Sequence, residues 1–478
     1  MPTRTILIAC LALLGGCATH FENTALQQKP GNEERRRIDV AQKERPQILV
    51  AISGGGSRAA ALGWSVLREL SRYRYPSESG TRRLVDDVAI VSSVSGGSVI
   101  AAYFGLNGAD GLDAFEKEFL VPDNMARLEL DAIDPATLIK LAVTGGSRIQ
   151  IEEDYFDQQI FHKRTFADLN QPGKSFVILN ATDMASGEVF EFTPARFDDI
   201  CSDFDAQPIA VGVAASAAFP IALTPVALRN YSTQACPGRA LPEWIRTHLE
   251  GRYGPYLNIE EYKRARYAND LRHGPNSFRQ IDYLYLLDGG LADNVGVHAL
   301  LTEISSPEGI SGLLGKINNG DVRRVVVLLI NARSDPPTSV STSDSRPGII
   351  GMIGSVTSVP IDATSASVNA QMEVLVEQLR QGAAGAPADA RFGNLHIYPI
   401  QIDFDQLRGN DPAQKALREK VKAVPTAWTI SAADLATVDS AGRLLLDGHP
   451  CFQRLLLDLG AGDAPFVDRS FAQTGCRR

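Results

Sequence analysis

Hydrophobic positions in this chain form short, nearly continuous apolar runs, separated by longer stretches at helical spacing. Gln47–Ile52, Leu84–Ile90, Ser175–Asn180, Ile281–Leu287 and Arg324–Asn331 are runs of the first kind. They are too short for helices, rich in β-branched residues, and read as strands buried on both faces. Gly187–Phe192 reads as a partner strand to Ser175–Asn180, and Asn394–Phe404 alternates as a strand does. Ala59–Leu70, with Leu62, Val66, Leu67 and Leu70 on one face, reads as a helix, as do Val99–Phe104 and Asn294–Ile304. Leu112–Ile160 is mostly helical in character. Residues 229–280 form an insertion with amphipathic helices at Glu243–Leu249 and Ile259–Leu271. Ser334–Gly348 reads as a loop, Ile349–Gln381 as mostly helix and Gly382–Ala390 as a small-residue linker, with helices again up to Cys476.

Strands that alternate with helices predict an α/β fold, a mainly parallel central sheet with helices on both faces. In such sheets a site sits at the carboxyl ends of the strands. Three of those ends carry chemistry. Ser53-Gly54-Gly55-Gly56 lies between a strand and a helix N-terminus, where bare amides point into one spot and hold an anion. Ser93-Val94-Ser95-Gly96-Gly97 has the spacing of a nucleophile elbow, with serine in place of the first glycine, and displays Ser95 at the next helix start. Asp288-Gly289-Gly290 ends a third strand with a carboxylate that, within reach of Ser95, takes its proton directly. Arg58 follows the glycine run and either attracts a phosphate headgroup or braces the loop.

Composition narrows the class. The chain has 478 residues, 44% hydrophobic and 22% charged, with a net charge of -9, so bulk electrostatics does not invite nucleic acid. Pro208–Leu228 lacks charge, but Pro208, Pro220 and Pro225 cut it, so it reads as a buried helix over Ile209–Ala218 followed by an extended piece, not a membrane span. The first residues carry an address. Arg4 precedes an apolar stretch from Ile6 to Leu14, and residues 1–16 read as a signal peptide. Leu14-Gly15-Gly16-Cys17 resembles a bacterial lipobox, which implies a lipidated Cys17; Ala18 implies delivery to the outer membrane of a Gram-negative bacterium. Residues 17–46 then read as a lipidated N-terminus and polar tether, with Arg35-Arg36-Arg37 solvated or touching anionic headgroups. Of the remaining cysteines, Cys201 with Cys236 and Cys451 with Cys476 are the sequence-local pairing among three connectivities. No CxxC or histidine cluster points to a metal, and no cofactor is expected.

Taken in order, Gly54-Gly55-Gly56-Ser57-Arg58, Ser93-Val94-Ser95-Gly96-Gly97 and Asp288-Gly289-Gly290 resemble the patatin-like phospholipases. Asn180-Ala181-Thr182-Asp183 with Gly187, and Ala214-Ala215-Ser216-Ala217-Ala218-Phe219-Pro220, are similar to the same family. The resemblance spans residues 47–331, with 332–478 as a mixed α/β extension packed on that domain. It departs at Ser53, Ala59 and Ser93, where the family often has Asp, Gly and Gly. It implies a patatin-like three-layer fold and a lipid acyl hydrolase of phospholipase A or lysophospholipase type. Its substrate would be a membrane phospholipid or other lipid ester, cut without cofactor. In that reading Ser95 attacks, Asp288 serves as base and then acid, and the Gly54, Gly55 and Gly56 amides hold the oxyanion. The large insertion before Asp288 is expected as a lid or membrane-facing surface. Two other readings stay open: an esterase or acyltransferase whose triad is completed by His298, His396 or His449, and a non-catalytic lipoprotein that keeps the fold.

Overall fold

The computed structural model describes residues 20–27, 45–250, 259–305, 320–333, 395–407, 411–461 and 476, except 79, 145, 170, 172, 221 and 222, plus isolated positions between 313 and 377. The expected signal peptide, Cys17, the arginine run, the 334–348 loop, the 382–390 linker and most of the 349–381 helix lie outside the described residues.

Strands β1 (Gln47–Ile52), β2 (Arg74–Ser77), β3 (Gly80–Arg83), β4 (Val88–Val94), β5 (Phe176–Asp183), β6 (Val189–Phe192), β7 (Val226–Arg229), β8 (Tyr283–Asp288), β9 (Arg324–Asn331) and β10 (His396–Asp403) are described. The helices that bear on the site are α1 (Gly56–Arg72), α2 (Gly96–Asn107), α3 (Arg148–Gln159), α4 (Ile209–Ala217), α5 (Ile259–Leu271), α6 (Val297–Ser305) and α7 (Ala432–Asp447). The main sheet runs β10-β9-β1-β4-β5-β8-β7, with β6 also paired to β5, while β2 and β3 form a separate ribbon. From β10 to β5 every neighbour is parallel; β6, β7 and β8 pair antiparallel.

The continuous apolar runs are explained by the layers. Ile48, Val50, Ile52, Val326, Leu328 and Ile330 enter one core, shared with α1 and α2. The alternate residues Leu49, Ala51, Val325, Val327 and Leu329 enter a second core, shared with Val297 and Leu300 of α6. A strand with period-2 side chains and helices on both faces has no polar face to show. Each fully buried Val, Leu or Ile contributes about 1.5–3 kcal/mol. Residues beyond 331 join this body, since β10 pairs with β9 in register and α7 lies against α1, where Ser65 Oγ is 2.8 Å from Asp439 Oδ1.

Two local expectations are corrected. Leu84–Asp87 is a 3-10 turn, and the strand begins at Val88. The buried Asp87 carboxylate accepts from Arg45 Nε and Arg82 Nε, each at 2.8 Å, and from the Tyr75 hydroxyl; a residue needing three donors cannot sit inside an apolar ladder. The expected tether is pinned at its start. Glu22 N–H donates to Ala227 O at 3.0 Å, Leu26 N–H to Cys201 O at 2.9 Å, and Asn23 Nδ2 to Ser202 Oγ at 3.0 Å. The strand leading to Asp288 is antiparallel to β5, with consequences described below. Cys201 is bonded to Cys236 and Cys451 to Cys476, with Cα–Cα distances of 6.2 and 4.8 Å. Among the described residues no helix is long and apolar enough to cross a membrane.

Candidate active site

The register of β5 decides the site. Its residues Leu179 and Asn180 pair with both β4 and β6, so those two strands occupy opposite edges. Ala181 and Thr182 pair with both β6 and β8, so β8 must occupy the edge of β4. Along that one edge β4 ends with Val94 opposite Asn180, and β8 ends with Asp288 opposite Ala181. The two strands therefore meet head to head, and their next groups are Ser95 and Asp288. The Ser95 side chain is close enough to help hold the Asp288 carboxyl down against the effect of burial.

Ser95 stands at φ 51°, ψ -127°, outside the regions ordinary residues favour, and opens α2. Such a conformation costs on the order of 1–3 kcal/mol and persists only where its surroundings fix it. Here Ser95 N–H donates to Ser216 Oγ at 2.9 Å, and Ser216 Oγ donates to Asn180 O at 2.6 Å. Asn180 Nδ2 in turn donates to Ser93 O and Ser92 Oγ, each at 2.9 Å. The backbone after Asp288 is tied to the same helix end, with Asp288 N–H donating to Ala218 O and Gly289 N–H to Ser216 O, each at 3.0 Å. The segments at 180–183 and 214–220 are thus the frame that holds both side chains.

The elbow presses on the glycine loop. A Cβ on Gly96 would lie 2.0 Å from Gly56 O, so this approach admits only glycine. The Gly54 amide is already donated to Asn294 O at 2.9 Å, and Ser57 N–H to Ala427 O at 2.7 Å. The Gly54 amide is therefore engaged, whereas Gly55 and Gly56, both at positive φ, have no carbonyl partner for their N–H groups among the described residues. Arg58 braces. It is buried, its Nε donates to Ala332 O at 2.9 Å, its Nη1 to Val424 O and its Nη2 to Thr426 Oγ1 at 3.1 Å. Burial lowers its pKa to about 10. A guanidinium so engaged is fixed to the C-terminal segment, and the headgroup role is dropped.

Asp288 accepts from Gly290 N–H at 2.8 Å, and burial pushes its carboxyl up to about 6, against the pull of the Gly290 and Ser95 hydrogen bonds. Sequence reasoning missed a second carboxyl. Glu152 on α3 is buried; its Oε2 accepts from Trp428 Nε1 at 3.1 Å and its Oε1 has no hydrogen-bond partner. Burial raises its pKa to about 8, and the Asp288 charge adds to the rise. No motif marks Glu152, because it enters on a helix distant in sequence. The three candidate histidines occupy different parts of the fold. His396 begins β10, at the opposite end of the parallel strands from Ser95. His449 Nδ1 accepts from Cys451 N–H at 3.2 Å, its Nε2 lies 3.4 Å from Gln401 N, and burial lowers it to about 4. The backbone N–H of His298 donates to Asp293 Oδ2 at 2.7 Å, in α6 beyond the Asp288 loop.

A mostly parallel α/β sheet with a serine at a strained elbow, a buried carboxylate at the strand end facing it and glycine amides alongside is the arrangement of a lipid acyl hydrolase. The model of the patatin-like phospholipase family matches residues 50–301, more than half of the chain, and the chain belongs to that family. No curated protein matches it closely enough to count as a relative. Among solved structures it is similar to human GIVD cytosolic phospholipase A2, at 11% identity and a TM-score of 0.43, covering 93% of this chain and 69% of that one. It is also similar to the same human enzyme in complex with methyl gamma-linolenyl fluorophosphonate, at 10% identity and a TM-score of 0.43, covering 93% and 66%.

Proposed function

We propose that this protein is a serine lipid acyl hydrolase of phospholipase A or lysophospholipase type that works through a Ser95–Asp288 dyad. The observation that supports the reading is the head-to-head meeting of β4 and β8, one strand leading into Ser95 and the other ending at the buried Asp288. Ser95 Oγ attacks the ester carbonyl carbon while its proton passes to Asp288. The oxyanion so formed accepts from the Gly55 and Gly56 amides at the start of α1. The tetrahedral species collapses as Asp288 returns the proton to the leaving alcohol, and the acyl group stays on Ser95. Water then attacks the acyl-enzyme, gives its proton to Asp288, and the fatty acid leaves as Ser95 recovers its hydrogen. An alcohol in place of water at the last step makes the same machinery an acyltransferase. A serine-reactive fluorophosphonate probe tests the reading: it labels the wild type and not Ser95→Ala. Equal labelling of both, or none of either, sinks the reading and favours a non-catalytic lipoprotein.

The reading extends to location. Cys17 carries the lipid that holds the protein at the outer membrane of a Gram-negative bacterium, supported by the Leu14–Cys17 pattern and by two disulfides that suit an oxidising compartment. Cys17→Ser moves the protein from the membrane to the soluble fraction; unchanged fractionation rules out the anchor.

A further inference from the structure

One end of the sheet carries an apolar face that the dyad does not use. On β8 the side chains of Leu284 and Leu286 go to the core, while Tyr283 and Tyr285 point outward and are exposed. Met184, 61% exposed, follows β5 and donates its N–H to Tyr285 O at 2.9 Å. Phe278, 64% exposed, precedes β8, with the Arg266 guanidinium 5.6 Å from its ring. The neighbouring Arg279 is exposed and reaches across to Ala185 O at 3.1 Å. Met184 thus adjoins Tyr285, Tyr283 shares the exposed face of β8, and Arg279 ties the Phe278 end to Ala185, so the four side chains lie in one region with Arg279 and Arg266, the latter 4.0 Å from Glu188, at its rim.

The N-terminal segment runs to this patch. Residues 22 and 23 lie along β7, with Glu22 N–H on Ala227 O at 3.0 Å and Arg229 N–H on Asn23 Oδ1 at 2.8 Å. Phe21 then stacks on Tyr283, ring centroids 5.3 Å apart. Cys17 is three residues before His20, and at most about 3.6 Å per residue it stays within ~11 Å of it. An acyl chain on Cys17 would therefore enter its membrane beside this face.

We propose that the face formed by Met184, Phe278, Tyr283 and Tyr285 rests in the interfacial layer of the phospholipid leaflet to which the chain is anchored. Tyr, Phe and Met with arginine at the rim suit that layer, where rings sit at headgroup level and guanidinium groups meet anionic lipid. The anchor adds proximity, and the pinned segment at 21–26 removes the freedom a flexible tether would leave. The orientation has a consequence for the site: β8 descends from Tyr283 to Asp288, five residues or about 17 Å at strand rise. The dyad then stands one strand-length from the headgroups, on the strand that touches them.

The inference rests on the Cys17 reading for its geometry, and the test separates the two. The mature chain, residues 17–478 with Cys17→Ser, keeps every described residue and has no acyl site. Its co-sedimentation with phosphatidylethanolamine–phosphatidylglycerol vesicles is compared with that of the same chain carrying Met184→Ser and Phe278→Ser. The parent is expected to bind, and the double variant to partition about tenfold or more weaker, with an unchanged melting temperature and unchanged turnover of a water-soluble short-chain ester. Arg279→Glu is a second variant that weakens binding to these vesicles and not to phosphatidylcholine vesicles. A parent that ignores vesicles, or variants that bind as the parent does, overturns the proposal. So does a parent that is dimeric without vesicles and made monomeric by the double substitution, since the face then belongs to a second copy. Absence of ester turnover in every form would count against the hydrolase reading and leave the binding comparison intact.

Discussion

Asp288→Asn lowers kcat on a lipid ester by roughly a thousandfold or more, and Ser95→Ala does the same, with the fold intact in both. Asparagine keeps the shape of the carboxylate and its contact with Gly290 N–H but cannot take a proton. The pH profile ties the loss to the base. Asp288 must be ionised to act, and burial raises its carboxyl from the usual 3.8 to about 6. Wild-type kcat/KM therefore falls about tenfold per pH unit below about 6, where an ordinary carboxylate would hold its rate to about 4. Glu152 shapes the other limb. It is neutral at pH 7 because burial and the Asp288 charge raise it to about 8. Its ionisation adds a negative charge felt at Asp288, in a site that must also carry an oxyanion, so the rate declines above about 8, and Glu152→Gln removes that decline while leaving the acid limb in place. Stability follows the same signs. Both pKa values are raised, so the folded chain holds protons that the unfolded chain releases. The stabilisation is complete below about 4, and is lost as pH rises to about 6 for Asp288 and about 8 for Glu152. Glu152→Gln is accordingly more heat-stable than the wild type at pH 9 and similar to it at pH 4. An acid limb that stays flat to pH 4.5, or an Asp288→Asn enzyme within tenfold of wild type, counts decisively against the dyad.

Gly96→Ala lowers kcat by about a hundredfold or more, although it deletes no reacting atom. The added methyl would fall 2.0 Å from Gly56 O, well inside contact distance, so the elbow and the glycine loop must part. Neither side yields easily. Ser95 N–H is tied to Ser216, and Gly56 is backed by Ala427, whose carbonyl oxygen would lie 2.5 Å from a Cβ at Gly56. A shift of about 1 Å between the nucleophile and the Gly55 and Gly56 amides is enough for a loss of this size. Overpacking also costs roughly 1–3 kcal/mol of stability. The expected signature is a kcat loss with little change in KM, a lower melting temperature, and slower labelling by a fluorophosphonate. A kcat within a few-fold of wild type, with the substitution verified, would show that the loop does not hold the oxyanion.

Much of this protein is legible in one dimension. The apolar runs at 47–52, 175–180 and 324–331 had to be buried strands, because no exposed element tolerates such continuity. Ser95 and the glycine run sit at strand-to-helix turns whose small residues have a steric reason to be there. What the sequence could not supply is the direction in which β8 enters. An apolar run is the same read parallel or antiparallel, and only its pairing with Ala181–Asp183 turns Asp288 to face Ser95. Nor could a glycine run tell which of its amides are already taken; that depends on Asn294 and Ala427, which reach the loop from elsewhere in the chain. Arg58 and Glu152 carry the same lesson. A residue's chemistry is set by what burial brings beside it, and burial is decided by contacts between segments far apart in sequence.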